Sequence, residues 1–247
     1  MIKKNYLEDL NKSNKPFIIY KSDNGFDLYT NFSKKIILTN KNIEKFINNN
    51  TKQKFKNKET DLFIGFFGYE ILNNLIGVKI KKQKKSKFPK GIFYKPETKI
   101  KFSDKLSYNP LEFIKSNKIF NINLNKASYE KIFNKFKKRI KAGETYQIKI
   151  CTKYKNTSQV DALDFFCRLT KTNMAPEAFM IKDRNYSIIS CSPENLITKK
   201  GNFITTKPIA GTLKKSKNFN KQKALAFFKK NIKETKEHNM IVDMERS

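Results

Sequence analysis

The sequence predicts an α+β fold, because helical patterns and strand-like patterns occur in separate blocks along the chain. Residues 129–140 place apolar side chains at helical spacing, whereas residues 178–206 alternate short apolar runs with turn signals. Of the 247 residues 38% are hydrophobic, which is enough to build a substantial core. We therefore expect antiparallel hairpins with helices packed beside them.

The first hundred residues carry the patterns of a hairpin and of a strand that turns into a helix. The stretch KPFIIYKSDNGFDLY has two apolar runs around the turn signal Asp23-Asn24-Gly25, which is typical of a hairpin. DLFIGFFGYEILNNLIG is apolar and is interrupted by Gly65 and Gly68, which indicates a buried strand and then a helix. GIFYKPETKIKF is predicted to form a further pair of short strands.

The second half is more regular. Ser128 is predicted to cap a helix that Gly143 ends, and the apolar face of this helix comprises Tyr129, Ile132, Phe133, Phe136 and Ile140. TYQIKICTKYK is predicted to be a strand. Asp161 is predicted to open a second helix, whose inward residues would be Phe165, Phe166 and Leu169. A last helix should begin near Asn220 and continue through the closing residues.

These patterns divide the chain into three parts. Residues 1–102 form an N-terminal region, the polar residues 103–127 form a linker, and residues 128–247 form a second region.

The net charge of +31 leaves two interpretations open. A basic protein can bind nucleic acid through its lysines, and a Lys-rich nucleic-acid-binding module is the alternative from another function class. The lysines are, however, spread along the whole chain with one dense run, KIKKQKKSK. Readers of nucleic acid instead favour arginine interleaved with aromatic residues. We therefore favour a solvated basic surface that attracts small anions.

Several classes of protein are excluded by the residues that the sequence lacks. His238 is its only histidine, and it contains no nucleophile elbow, GxGxxG motif or Walker A sequence. The three cysteines form no CxxC pair, so buried, reduced thiols are expected. No apolar run approaches the ~20 residues that span a bilayer, and residues 1–15 do not resemble a signal peptide. We expect a cytoplasmic protein without a membrane partner.

The closing stretch KETKEHNMIVDMERS places a carboxylate on an apolar helix face, since Glu237 would lie above Met240, Ile241 and Met244. An ionised carboxylate there is costly unless a cation or a hydrogen-bond donor meets it. Glu237 either lies at the edge of the face and reaches a lysine, or binds a divalent cation such as Mg²⁺. The second hypothesis requires another carboxylate from elsewhere in the protein.

Two further stretches have the composition of a binding site. In CSPEN a proline interrupts a strand-like run, which predicts a bulge or a strand edge that can direct Glu194 into a cleft. TTKPIAGT ends a strand with a turn of small residues, whose backbone N–H groups can approach an anion closely.

Five stretches resemble, in sequence and in order, the chorismate-utilising enzymes: AGETYQIKI, NMAPEAF, SPEN, TTKPIAGT and KEHNMIVDMERS. They look most like component I, the large subunit, of para-aminobenzoate (aminodeoxychorismate) synthase and of anthranilate synthase. FIGFFGYEI and FPKGIFYKPE are similar to the N-terminal region of that family. The resemblance implies an antiparallel β-sandwich flanked by helices, with the first part of the chorismate-binding catalytic domain at residues 128–247.

The resemblance also implies roles for individual residues. Glu194 would be the general acid that helps to expel the C4 hydroxyl of chorismate. Glu237 would bind Mg²⁺, which would neutralise the ring carboxylate of the substrate. The predicted substrate-binding residues are Gln147, Ile209, Ala210, Gly211 and Thr212.

Gln147 and Ala210 bear on the reaction that the resemblance implies. Members that add water to chorismate use a lysine base where this chain has Gln147, and glutamine cannot act as that base. Ammonia is therefore the expected nucleophile, supplied by a glutamine amidotransferase subunit. Ala210 is typical of anthranilate synthases of tryptophan biosynthesis, because many para-aminobenzoate enzymes have a lysine there. NMAPEAF and the lack of an LLES-like element favour para-aminobenzoate synthase of folate biosynthesis, which we prefer to the anthranilate alternative.

The family pattern continues well beyond the arginine of MIVDxxR, whereas this sequence stops at Ser247. We therefore expect an N-terminal fragment or one piece of a split polypeptide, with a fold that is incomplete at the C-terminus. Such a chain would show little or no catalysis by itself and would expose sheet edges and apolar faces. A third hypothesis is a non-catalytic remnant that binds a glutaminase subunit.

Overall fold

A computed structural model of the protein describes residues 6–51, 58–78, 88–102, 106, 108, 119–214 and 219–246. The helices there are α1 (Tyr6–Lys12), α2 (Ile43–Thr51), α3 (Tyr69–Leu75), α4 (Lys126–Lys141), α5 (Ala162–Thr172), α6 (Lys221–Lys230) and α7 (Ile232–Arg246). The strands are β1 (Phe17–Ser22), β2 (Gly25–Ile37), β3 (Ile64–Phe67), β4 (Gly91–Phe102), β5 (Asn121–Ile122), β6 (Tyr154–Lys155), β7 (Glu177–Lys182), β8 (Ser187–Ser192), β9 (Thr198–Lys200) and β10 (Phe203–Thr205).

The chain forms two compact units. The first unit comprises Met1–Tyr108 together with Phe166–Ser247, and the second comprises Asn109–Phe165. Most of the predicted linker 103–127 lies outside the described residues, so the division at that linker stays a prediction.

An antiparallel sheet organises the first unit, with the strand order β3-β4-β2-β1-β7-β8 among the described residues. The β1–β2 hairpin is present as predicted, and its turn ends at Gly25, whose φ of 136° favours glycine. Strand β1 also pairs with β7, so that Ile18 lies opposite both Tyr29 and Ile181. The α+β fold with an antiparallel sheet and flanking helices is therefore confirmed.

The sheet is curled around an apolar core. Its central strand β1 is buried on both faces, because Phe17, Ile18 and Ile19 are each at most 1% exposed. On one face Ile18 packs with residues of three other strands, namely Tyr29, Ile92, Tyr94 and Ile181. Elsewhere Phe26 of β2 meets Phe166 of α5 edge to face, with their ring centroids 6.0 Å apart.

GIFYKPETKIKF forms the single long strand β4, so the prediction of two short strands is wrong. Pro96 lies inside this strand, although proline cannot donate a ladder hydrogen bond. The neighbouring strand β2 adapts instead, since the register shifts between Phe32, opposite Pro96, and Lys34, opposite Lys95. This β-bulge accommodates the proline without ending β4.

The helices of the second half differ from the prediction in their boundaries. The N-cap of α4 is Asn125, whose side chain accepts from the Ser128 N–H at 2.8 Å, so Ser128 is not the cap. The predicted last helix is divided at Asn231 into α6 and α7, because the Asn231 side chain accepts from the Glu234 N–H at 3.3 Å and caps a new helix. Asp161 caps α5 as predicted, but Phe165 is 48% exposed rather than inward.

In the second unit, TYQIKICTKYK forms a strand only at Tyr154–Lys155. A strand needs a hydrogen-bonded neighbour, and the described neighbour here is the two-residue strand β5. Gly143 follows α4 with a φ of 75°, as the sequence predicts for the helix end. The three cysteines are free thiols, but Cys151 is exposed rather than buried.

Among the described residues, no helix is long and apolar enough to cross a membrane.

Gly65 tests how tightly β3 is held against β4. A Cβ atom at Gly65 would lie 1.9 Å from the Ile92 carbonyl oxygen, a backbone atom that cannot turn aside. We expect Gly65→Ala to lower the free energy of unfolding by about 2–3 kcal/mol, because β3 must shift. Gly201→Ala is the control, since nothing lies within 4 Å of its Cβ position and only the backbone cost of about 1 kcal/mol applies. Equal urea midpoints for the two variants would show that β3 tolerates the methyl group.

Candidate active site

Glu194 lies in a tight turn directly after the sheet. Strand β8 ends at Ser192, and Pro193 follows. Because the strand has already ended, the missing N–H of proline costs no ladder hydrogen bond. The Ser192 hydroxyl accepts from the Glu194 N–H and donates to the Glu194 carbonyl, both at 3.3 Å. The turn therefore fixes the backbone of Glu194 close to the end of β8.

Glu194 is itself exposed and contributes to the lining of a mainly apolar cleft of about 270 Å³. Residues of β1, β3 and β7 contribute to the lining, namely Ile18, Tyr20, Ile64, Gly65, Glu177, Phe179 and Ile181. Its carboxylate oxygen Oε1 accepts from the Ile209 N–H at 3.2 Å. Two of the predicted site residues are thus in direct contact.

The segment that contains Ile209 also lies against α7. A Cβ atom at Gly211, whose φ is 80°, would lie 2.8 Å from Glu234 Oε2 and 2.7 Å from the Phe228 ring. At the other end of the segment, the Thr206 hydroxyl donates to Glu245 Oε2 at 2.7 Å. Residues 206–211 are therefore placed between Glu194 on one side and α7 on the other.

Glu237 lies on α7 one turn beyond Glu234. It is half-buried, as are Met240 and Ile241, while Met244 is exposed. The face predicted to pack inward is therefore only partly covered. Glu237 does not line the cleft that contains Glu194.

Glu234 was missed by the sequence interpretation, although the signal was present. A carboxylate three residues before Glu237 falls on the same helix face, because residues three apart are neighbours on a helix. The structure places Glu234 against Gly211 of the predicted substrate-binding turn.

Among the described residues, no group of three or more His, Cys, Asp or Glu side chains could by itself enclose a metal ion. Mg²⁺ usually retains several waters and binds through one or two carboxylates together with oxygen atoms of the substrate. The two carboxylates on consecutive turns of α7 suit that type of site. Glu237 remains the predicted ligand.

The other predicted substrate-binding residues are in different environments. Ala210 and Gly211 are half-buried, and Thr212 is exposed. Gln147 belongs to the second unit and is exposed, in the non-helical segment after α4, where its carbonyl accepts from the Thr145 hydroxyl at 3.2 Å. All of them stay predictions as substrate ligands.

A second carboxylate of the cleft, Glu177, was also missed. It opens β7 and accepts from the Tyr20 hydroxyl and from the Asn195 side chain, the latter at 3.1 Å. The pKa of the Tyr20 phenol is raised well above its usual value, mainly because the phenol is buried and secondly because it donates a hydrogen bond to Glu177. Sequence spacing offered no signal for the bond from Tyr20, because it depends on the pairing of β1 with β7, which are far apart in the sequence.

Known proteins resemble this chain over most of its length. The relatives include an anthranilate synthase component I-like protein of Synechocystis, which is 27% identical over 75% of this chain and 44% of the relative. Aminodeoxychorismate synthase component 1 of Bacillus subtilis is 32% identical over 48% of this chain and 26% of the relative. The chain therefore spans less than half the length of these relatives.

The fold is that of a solved anthranilate synthase component I from Streptococcus pneumoniae. The TM-score is 0.67 at 20% identity, over 94% of this chain and 60% of that one. The family model described as chorismate binding enzyme matches residues 6–247. This match covers nearly the whole sequence, and the chain belongs to the chorismate binding enzyme family.

Proposed function

We propose that this chain contributes the general acid and the metal-binding helix of a synthase component I that aminates chorismate. The observation that supports this function most directly is the segment 206–211, which contacts Glu194 through Ile209 and contacts α7 through Gly211 and Thr206. The same turn of small residues therefore adjoins both the proposed general acid, Glu194, and helix α7 with its pair of carboxylates.

In this proposal the two oxygens of Glu194 have different tasks. Oε1 accepts from the Ile209 N–H, which orients the carboxyl group and leaves Oε2 to carry the acidic proton. In the proposed reaction Glu194 transfers this proton to the departing C4 hydroxyl, so that the group leaves as water.

The remaining residues would bind the substrate. Ala210 and Gly211 present small side chains and backbone to an anionic ring, and Glu237 would bind Mg²⁺. When bound, the cation would neutralise a carboxylate of the substrate. Gln147 supports ammonia rather than water as the nucleophile, because an amide cannot deprotonate water, and the proposed source of ammonia is a glutamine amidotransferase subunit.

Between the two branches we propose 4-amino-4-deoxychorismate, the precursor of para-aminobenzoate, as the product. The NMAPEAF motif supports this choice, and Ala210 supports anthranilate as the alternative. Relatives of both types resemble the chain, so they do not separate the branches.

Product analysis with ¹⁵N-labelled ammonium tests the proposed function. The polypeptide that the native source makes from this gene is incubated with chorismate, Mg²⁺ and the label, and its products are separated and weighed. We expect one ¹⁵N atom in an aminodeoxychorismate. Labelled anthranilate would establish the alternative branch, and isochorismate or salicylate without label would contradict amination.

A further inference from the structure

Glu177 joins two strands of the sheet to the segment that carries Glu194. Its Oε2 accepts from the Tyr20 hydroxyl of β1, and its Oε1 accepts from Asn195 Nδ2 at 3.1 Å. We call the hydrogen-bonded chain Tyr20–Glu177–Asn195 the bridge. It continues to Thr198, whose hydroxyl donates to Asn195 Oδ1 at 2.9 Å. The side chain of Asn195 is therefore held at both of its ends, and Asn195 is the residue that follows Glu194.

The sheet gives this bridge a firm base. Glu177 lies opposite Ser192, the last residue of β8, in the β7–β8 ladder. Tyr20 lies opposite Phe179 in the β1–β7 ladder, so it belongs to the neighbouring strand of the same sheet. Residues 193–197, by contrast, lie outside any strand. Glu177 thus connects an irregular segment to a hydrogen-bonded sheet.

The bridge also lies between two clefts. Glu177 and Asn195 line the cleft of about 270 Å³ that contains Glu194. The same two residues line a neighbouring cleft of about 420 Å³, which includes Lys200 and Lys207. A change in the position of Asn195 would therefore alter the wall next to Glu194.

A carboxylate suits both hydrogen bonds made to Glu177. An ionised glutamate only accepts hydrogen bonds, so its two oxygens can serve the Tyr20 hydroxyl and the Asn195 amide together. Glutamine has one acceptor oxygen and an NH₂ group, which would face one of these two donors. Tyr20 stays protonated over the physiological range because its pKa is raised, so it remains a donor.

We propose that Glu177 is a positioning residue that fixes the segment 193–198 and thereby holds the Glu194 carboxylate against Ile209. The importance of Glu194 for catalysis rests on the proposed function, but the coupling between Glu177 and Glu194 does not. The amide of Ile209 provides a direct signal, because its hydrogen-bond acceptor is Glu194 Oε1 itself.

Hydrogen exchange of the full 247-residue chain tests this coupling without an activity assay. We expect Glu177→Ala to speed exchange at the Ile209 amide and at residues 194–195 by about fivefold, since the bonds that hold the segment are lost. Glu177→Gln should give a smaller increase, because one of the two bonds can be kept. Glu97→Gln, which alters an exposed carboxylate of β4 in the same sheet, should leave these amides unchanged.

The pattern of exchange separates positioning from a general loss of stability. Amides of a hydrogen-bonded pair of the β7–β8 ladder, such as Ile181 and Ile188, should keep their protection in Glu177→Ala. Equal acceleration at these ladder amides and at Ile209 would show that Glu177 only stabilises the fold, and an unchanged Ile209 amide would show that no coupling exists. Either result overturns the proposal while leaving the chorismate reaction to be judged by its products.

Discussion

Replacing Glu194 with glutamine is expected to lower kcat for chorismate amination by about 10²–10⁴-fold, the usual contribution of a general acid. Glutamine keeps the size of the side chain and the oxygen that accepts from the Ile209 N–H. It cannot, however, deliver a proton to the leaving hydroxyl. KM should change little, because the shape and the hydrogen bond of the site are retained.

The measurement uses the native polypeptide with saturating ammonium, so that the supply of ammonia does not limit the rate. Glu97→Gln is the matched control, because it also neutralises one carboxylate of the first unit but lies on the exposed side of β4. Activity of Glu194→Gln within a factor of three of the unmodified protein would remove Glu194 from the role of acid.

Asp183→Asn is expected to have a large effect on stability. Asp183 lies in the turn after β7, and its side chain is 6% exposed. It accepts from Lys35 Nζ and from the Arg184 N–H, both at 2.6 Å, and also from the Tyr94 hydroxyl. Since Lys35 is on β2 and Tyr94 is on β4, one carboxylate connects three parts of the sheet. We expect asparagine to reduce the free energy of unfolding by about 2–3 kcal/mol, because the charge-assisted bonds are lost.

The loss of unfolding free energy in Asp183→Asn should depend on pH in one direction. Burial raises the pKa of Asp183, but the hydrogen bonds from Lys35, Tyr94 and the Arg184 N–H outweigh it and hold the pKa below its ordinary value. A lowered pKa in the folded state stabilises the protein above the unfolded value of about 4, and this stabilisation is lost as the pH falls through the folded pKa. The difference between the unmodified protein and Asp183→Asn should therefore be constant near pH 7 and shrink below about pH 4.

Urea unfolding at pH 7, 5 and 3 measures both effects. Glu97→Gln again provides the control, since its carboxylate is exposed and its removal should shift the midpoint little. The difference in unfolding free energy between the unmodified protein and Asp183→Asn should not grow as the pH falls. Such growth would contradict a lowered pKa for Asp183 in the folded state.

The parts of the fold that are local in sequence could be predicted. The turn at Asp23-Asn24-Gly25, the cap of α5 at Asp161 and the hairpin between β7 and β8 depend on a few adjacent residues, and the sequence shows them directly. The break between α6 and α7 could not be predicted in the same way. Asn231 is tolerated inside a helix, and its role as a cap became clear only from the bond that it makes to Glu234.

Contacts that depend on pairing over long distances were not predictable from spacing. The pairing of β1 with β7 joins residues about 160 positions apart, and it determines that Tyr20 reaches Glu177. The bulge opposite Pro96 likewise depends on the neighbouring strand rather than on the proline itself. For the site, residue types and motif order predicted Glu194 and Ile209, which are in contact in the structure. Helical spacing could also have indicated Glu234, whereas Glu177 required the structure.

Large apolar side chains are exposed in the β9–β10 hairpin and just before it. Phe203 is 79% exposed and Leu196 is 78% exposed, and both lie close in sequence to the site segments. Large exposed apolar groups of this kind favour association with another polypeptide surface.

Paramagnetic broadening by Mn²⁺, used in place of Mg²⁺, tests the central claim most directly. The claim is that Glu194, the segment 206–211 and α7 adjoin one site for an anionic ring and a divalent cation. With chorismate present, Mn²⁺ should selectively broaden the amide signals of Glu234, Glu237 and Gly211, and Glu237→Gln should abolish this effect. Broadening confined to other acidic residues, or unchanged broadening in Glu237→Gln, would contradict the claim.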